Sequence, residues 1–306
     1  MEGIKRLRYG LKLLGILIGL SGGVLAQGSL NTAKIEELTG LKGTLDAKSG
    51  VFKVSYPRKD LYVYEMAQDA TGYRVHITPP MGLTAWAAFT KPGEHAVMMG
   101  DMVLREDQVN PVMSTALDNG LEVTALHNHF FWDNPKVMFM HIGGMGDESQ
   151  LASAVGKVIK KIKETPPVVY EKHPVVEIDP AQTSLDPQKI ETILGSKGQL
   201  ANGVYKITWE MTTKMEGHEM GAAMGVNTWA AFIGSDQTAV VDGDFAMYEN
   251  QLQDVLKALR HAHINIVAIH NHMTEETPRV IFLHYWGVDS TENLARGLKA
   301  ALNTQK

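Results

Sequence analysis

Two short blocks recur at one fixed spacing. TAWAAF at 84–89 returns as NTWAAF at 227–232, and ALHNHF at 125–130 returns as AIHNHM at 268–273, both 143 residues later. The same offset aligns Gly100-Asp101 with Gly243-Asp244, Glu106 with Glu249, Pro135 with Pro278, His141 with His284, and Leu151-Ala152 with Leu294-Ala295. A period of this length is a duplicated domain, so the chain must build one fold twice. Upstream, GVFKVSYPR at 50–58 matches GVYKITWEM at 203–211 at an offset of 153, which leaves about ten extra residues in the first copy near 59–80. Repeat 1 is expected at 33–164 and repeat 2 at 188–306, joined by a proline-rich linker at 165–187.

Within a copy, alternating apolar residues predict strands at 51–57, 84–90 and 95–104, the last two parted by Pro92-Gly93. Asn110 followed by Pro111 predicts a helix cap and first turn, with Gly120 as the stop. A hairpin follows, with strands at 121–129 and 136–142, and then a helix over 147–163 whose Leu151, Ala154, Val155, Val158, Ile159 and Ile162 keep helical spacing. The order strand-strand-helix-strand-strand-helix predicts an α+β fold. Each repeat is an antiparallel sheet with two helices, like a circularly permuted ferredoxin-like unit, and the two repeats pack as a pseudo-dimer.

With 306 residues and 44% hydrophobic content, the chain can bury a sizeable core. Residues 1–12 hold four basic side chains and one acidic, a net +3, so the total of −5 leaves −8 on the remainder. An acidic body argues against a nucleic-acid partner. The basic start, the apolar run Leu13–Leu20 and the small residues Val24 and Ala26 predict a signal peptide at 1–26, cleaved to give a periplasmic or secreted protein. The apolar stretch is shorter than the roughly 20 residues of a spanning helix, so no stable membrane anchor is expected after cleavage. The chain has no cysteine, which excludes disulfides, thiol nucleophiles and zinc–thiolate sites.

Six of the twelve histidines stand at repeat-equivalent positions, which makes them the leading candidates for chemistry. Residues two apart in a strand share a face, so His127 and His129 project together, as do His270 and His272. Between the copies, Ala125, His127, His129, Pro135, Val137, Phe139 and His141 are identical while several even-numbered neighbours change, which predicts that Ala125 lies opposite His141. His127, His129 and His141, and likewise His270, His272 and His284, then converge as three neutral imidazoles able to hold a divalent metal, zinc preferred. Asp133 and Glu276, each four residues after the second histidine, are candidate fourth ligands. Two other readings stay open: a metal-free pocket for a small molecule, and histidines that only hydrogen-bond within the core.

Other repeated residues are weaker candidates. Asp101 and Asp244 can orient an imidazole or merely cap a turn. Glu106 and Glu249 can serve as general bases or complement a helix dipole. Trp86 and Trp229 can wall a pocket, with a core position favoured, and Asn128 and Asn271 need partners on the opposite face. Methionine is abundant in the first copy, but Met138 and Met140 become Ile281 and Leu283 in the second, which speaks for core filling over copper.

The blocks GDMVLREDQVNPVM, GLEVTALHNHFFWDNPKVMFMHIGG and IVAIHNHMTEETPRVIFLHYWG resemble the LppY/LpqO family of exported bacterial proteins over nearly the whole chain after the leader. The resemblance implies export and supplies no reaction; this chain lacks the lipidation cysteine of the family's lipoproteins. The expected function is therefore metal binding, with metal-assisted hydrolysis as the reaction class if the protein is an enzyme. The alternative is a non-catalytic module of the cell envelope that binds a small molecule or glycan.

Overall fold

The computed structural model describes residues 29–66, 74–167 and 177–305. The expected leader at 1–26 lies outside them, as do parts of the expected linker and of the expected insertion. The first half runs α1 (Thr32–Thr39), β1 (Gly43–Asp46), β2 (Val51–Pro57), β3 (Val63–Met66), β4 (Arg74–Ile77), β5 (Thr84–Thr90), β6 (Ala96–Arg105), α2 (Glu106–Asp118), β7 (Glu122–His127), β8 (Asp133–Asn134), β9 (Val137–Gly146) and α3 (Glu148–Glu164). The second half repeats it as α4 (Pro187–Leu194), β10 (Gln199–Ala201), β11 (Val204–Glu210), β12 (Thr213–Met215), β13 (His218–Met220), β14 (Asn227–Gly234), β15 (Ala239–Tyr248), α5 (Leu252–His261), β16 (Asn265–His270), β17 (Glu276–Thr277), β18 (Val280–Asp289) and α6 (Thr291–Asn303).

Twelve of these strands form one antiparallel sheet in the order β1-β2-β5-β6-β9-β7-β16-β18-β15-β14-β11-β10. Each repeat supplies six neighbouring strands, and the halves meet where Leu126 of β7 pairs with Ile269 of β16. Alternation gives the sheet two unlike faces. In β6, Met98, Met102 and Leu104 are buried, and helices α2 and α3 pack against β6 and β9 on that side. The intervening Met99 is 62% exposed, which marks the face that no helix covers. Helix α3 lays Leu151, Ala154, Val155, Val158 and Ile162 on the sheet, while Asp147 caps its first turn by accepting from the Gln150 N–H. Most buried apolar residues of both repeats belong to one continuous core, and Val226, Ala246, Val280 and Phe282 form a small second cluster.

Away from their pairing at Leu126 and Ile269, β7 and β16 are each tied by a side chain to a helix of the other half. The Asn110 amide of α2 binds both backbone groups of Ile266 (2.7 and 3.2 Å), and the Gln253 amide of α5 does the same for Val123 (2.9 and 3.0 Å). Asn110 and Gln253 are repeat equivalents, so each half satisfies the other's unpaired strand backbone. This corrects the expected helix start. Helix α2 begins at Glu106 with Pro111 inside it, because Gln108 closes a capping box on the Arg105 N–H and frees Asn110 to reach across the junction.

In the stretch near 59–80 the described residues include a hairpin, β3–β4, that has a counterpart, β12–β13, in the second half, and each hairpin pairs with the turn that follows the histidine strand, β8 or β17. Among the described residues, no helix is long and apolar enough to cross a membrane.

Candidate metal centres

The central hairpins set the histidines. Ala125 faces His141 and His127 faces Phe139 across β7 and β9; Ala268 faces His284 and His270 faces Phe282 across β16 and β18. One strand further out, Asp101 of β6 faces His141, and Asp244 of β15 faces His284. Trp86 and Trp229 stand opposite those aspartates. Each repeat thus carries a row Trp–Asp–His–Ala on the helix-free face, flanked by the remaining two histidines.

The third histidine of each set lies past the end of its strand. The Asn128 amide donates to the Phe130 carbonyl and the Asn271 amide to the Met273 carbonyl, both at 2.8 Å, folding the chain back after the strand. The His129 ring then lies flat on Phe139 (centroids 3.4 Å apart), and His272 lies on Phe282 (3.5 Å). A Cβ on Gly82 or Gly225, whose φ are 112° and 83°, would lie 3.8 Å from the Nδ1 atom of His129 or His272. Both glycines hold a left-handed conformation that a side chain would strain.

In the second repeat the donor atoms of Asp244, His270 and His284 all lie within 4.8 Å of one another, a group that can hold a metal ion. His272 Nε2 joins them, 3.2 Å from His270 Nε2 and 3.4 Å from Asp244 Oδ2. Donors bound to one tetrahedral ion at ordinary zinc distances stand roughly 3.3–3.5 Å apart, so these spacings suit a shared ion. With its proton on Nδ1, His284 donates to the Gly243 carbonyl at 3.4 Å, leaving Nε2 as the ligating lone pair. In the first repeat the His127 ring is 5.2 Å, centroid to centroid, from both His129 and His141.

Asp101 Oδ1, Asp244 Oδ1 and His270 Nδ1 are buried without a hydrogen-bond partner. Such atoms call for a bound ion or water. Burial raises the carboxyl pKa of Asp101 and Asp244, against the pull of the neighbouring imidazoles. Burial, then His284 and His272, pushes His270 down to about 4, and burial with His127 lowers His129. Neutral imidazole is the form that ligates.

Several expected roles change. Asp133 is occupied by the Lys136 ammonium and the Val137 N–H (2.8 Å), and Glu276 accepts from the Val280 N–H (3.1 Å). Both acids close the turn, and Asp101 and Asp244 stand beside the histidines in their place. Glu106 opens α2 at a groove with Val109, Asn110, Met138 and Ile266, on the helix side of the sheet, and Glu249 pairs with Arg279 at 3.7 Å. Neither glutamate is brought to the histidines. Trp86 and Trp229 are half-buried on the open face, with Lys53 and Lys206 over their rings at 4.1 and 4.2 Å, and are not core residues. Phe139, Phe282, Gly82 and Gly225 escape a reading based on polar residues alone; their identity between the copies was the available signal.

A family described as Domain of Unknown Function (DUF1259) matches residues 33–161 and 188–304, one span per repeat. No curated protein matches the chain. Among solved structures, the chain is similar to the trimeric bacterial microcompartment shell protein PduB (10% identity, TM-score 0.21, covering 86% of this chain and 89% of that one) and to EtuB from Clostridium kluyveri (11%, TM-score 0.22, 87% and 90%). At these scores the likeness assigns neither fold nor function. With both repeats matched over most of their length, the chain belongs to the DUF1259 family.

Proposed function

We propose that each repeat binds one divalent metal ion through one aspartate and three histidines: Asp101, His127, His129 and His141 in the first, Asp244, His270, His272 and His284 in the second. Zinc is the preferred ion, because the donors are imidazole nitrogen and carboxylate oxygen with no thiolate or thioether among them. The observation that carries the reading is the second cluster: His272 Nε2 stands 3.2 Å from His270 Nε2 and 3.4 Å from Asp244 Oδ2, close to the edge of one coordination sphere, the donors of Asp244, His270 and His284 lie within 4.8 Å of one another, and Asp244 Oδ1 is buried without a partner. A divalent ion held by these four side chains would need a fifth position for water; with that position filled it would supply Lewis acidity and lower the pKa of the water, so the reaction class we propose is metal-assisted hydrolysis. The partly exposed His272 leaves the cluster open to solvent and substrate.

The same reading takes the protein as exported after cleavage of residues 1–26, as a relative of the LppY/LpqO proteins, and as two permuted ferredoxin-like units packed as a pseudo-dimer. The leader-like start and the core strand order β5-β6-β9-β7 support it. Calorimetric titration with zinc tests the metal assignment. The wild type should take up two ions, Asp244→Asn with His284→Ala one, and Asp101→Asn with His141→Ala one. Hydrolysis of activated ester and phosphate-ester probes should fall in the same variants. Folded variants that still bind two ions would refute the assignment.

A further inference from the structure

The two clusters share one surface. Leu126 pairs with Ile269, so carrying that antiparallel register one residue either way sets Ala125 across from His270 and Ala268 across from His127. Two rows then cross the middle of the sheet on the open face: Asp101, His141, Ala125 and His270, and, running the other way, Asp244, His284, Ala268 and His127. One alanine is all that separates a histidine of the first cluster from a histidine of the second in each row. Strand spacing puts those paired histidines roughly 10 Å apart, two inter-strand steps.

Both alanines lie at the centre of a twelve-stranded sheet, yet both remain partly exposed, so no described part of the chain closes over them. The flanking positions in the same rows carry larger side chains, and the two copies agree on alanine. The result is a strip in which Ala125 and Ala268 occupy one diagonal and His127 and His270 the other, with a histidine cluster at each end. Loaded with a divalent ion against one carboxylate, each cluster would carry a net positive charge, and the strip would attract an anion from both ends.

We infer that the two centres form one bipartite site for a ligand with two oxyanion ends, lying over Ala125 and Ala268 and reaching one metal with each end. This rests on the metal reading above. Joining two weak contacts in one molecule makes the second effectively intramolecular, which raises affinity by about 10²–10⁴ when the span matches. The probes are acetate and the series of linear dicarboxylates from malonate to sebacate, titrated into the full zinc-loaded chain, with zinc content measured on each sample.

One dicarboxylate per chain, with affinity peaking at a single length and at least about a hundredfold above acetate, is the expected result. Ala125→Phe and Ala268→Phe should abolish the peak while zinc content stays at the wild-type value, and the Asp244→Asn/His284→Ala chain should bind every member of the series no more tightly than acetate. Affinity that is flat with length, or two probe molecules per chain, overturns the bipartite site while the metal reading stands. A chain that holds no zinc overturns the metal reading instead, and the zinc count tells the two failures apart. The length series on the wild type decides the matter even where a phenylalanine variant fails to fold.

Discussion

Leu126 and Ile269 are equivalent residues of the two repeats, and they pair with each other. In the pseudo-dimer proposed above a pseudo-twofold axis passes between them; the six strands of each half form one sheet, and two histidine clusters are delivered to one face. Position along this axis explains features that look unrelated in the chain, from the Asn110 and Gln253 amides to the repeated alanines.

The junction should weaken when its amide ties are cut. Asn110→Ala leaves the Ile266 N–H and C=O without their partners, and Gln253→Ala does the same to Val123. Each should cost about 1–3 kcal/mol in urea unfolding, and the double variant roughly the sum, since the two ties stand at opposite ends of the junction. A loss below a few tenths of a kcal/mol would show that water replaces the amides.

The Gly-Asp pairs hold their aspartates at a place where no side chain fits. A Cβ on Gly243 would stand 2.2 Å from the Tyr285 hydroxyl and 2.3 Å from the Trp229 carbonyl. Gly243→Ala should destabilise by about 1–3 kcal/mol. Adding Tyr285→Phe should restore only part of it, because the Trp229 carbonyl and the ring Cζ that phenylalanine keeps, both at 2.3 Å, remain. Full rescue in thermal unfolding would place the whole clash on the hydroxyl.

Asp133 and Glu276 close turns, and the proposed ligand set does not include them. Asp133→Asn and Glu276→Gln should leave metal content unchanged while lowering stability by about 1 kcal/mol each. Loss of one metal equivalent from either folded variant would return these acids to the ligand set.

Acid should unfold the metal-free protein early. His270 is held at about 4 against an ordinary 6.5, so the unfolded chain takes up that proton first. The stability it represents is present above pH 6.5 and is lost as pH falls towards 4, with His129 acting in the same direction. The raised carboxyls of Asp101 and Asp244 have the opposite sign: their burial penalty is relieved as pH falls through their raised pKa values. In chelator, the melting temperature should drop from about pH 6.5 downward, more steeply in wild type than in His270→Asn. Parallel curves would contradict the burial of this imidazole in its neutral form.

The repeat, the hairpin register and the closing helix were legible in the sequence because each rests on local periodicity or on identity between the copies. Ala125 opposite His141 follows from which alternate positions stay fixed. Asp101 and Asp244 were visible as repeated residues, but their place beside the histidines depends on β6 pairing with β9 and β15 with β18, contacts that local spacing does not specify. Pro111 misled for a related reason: a proline next to asparagine signals a helix start, and only the neighbouring half shows that Asn110 serves β16 instead. The tryptophans looked like core because they are large, whereas the alternation of β5 and β14 buries Ala85, Ala87 and Ala230 and turns Trp86 and Trp229 to the open face.

The central claim is that each repeat holds a metal ion. Elemental analysis of the full chain, purified without a histidine tag, tests it most directly. The account predicts two equivalents of a divalent metal in the wild type, zinc foremost, and one in Asp244→Asn/His284→Ala. A folded wild type that retains no metal and takes none up from added zinc would contradict it, leaving the six histidines as partners for one another and for a metal-free ligand.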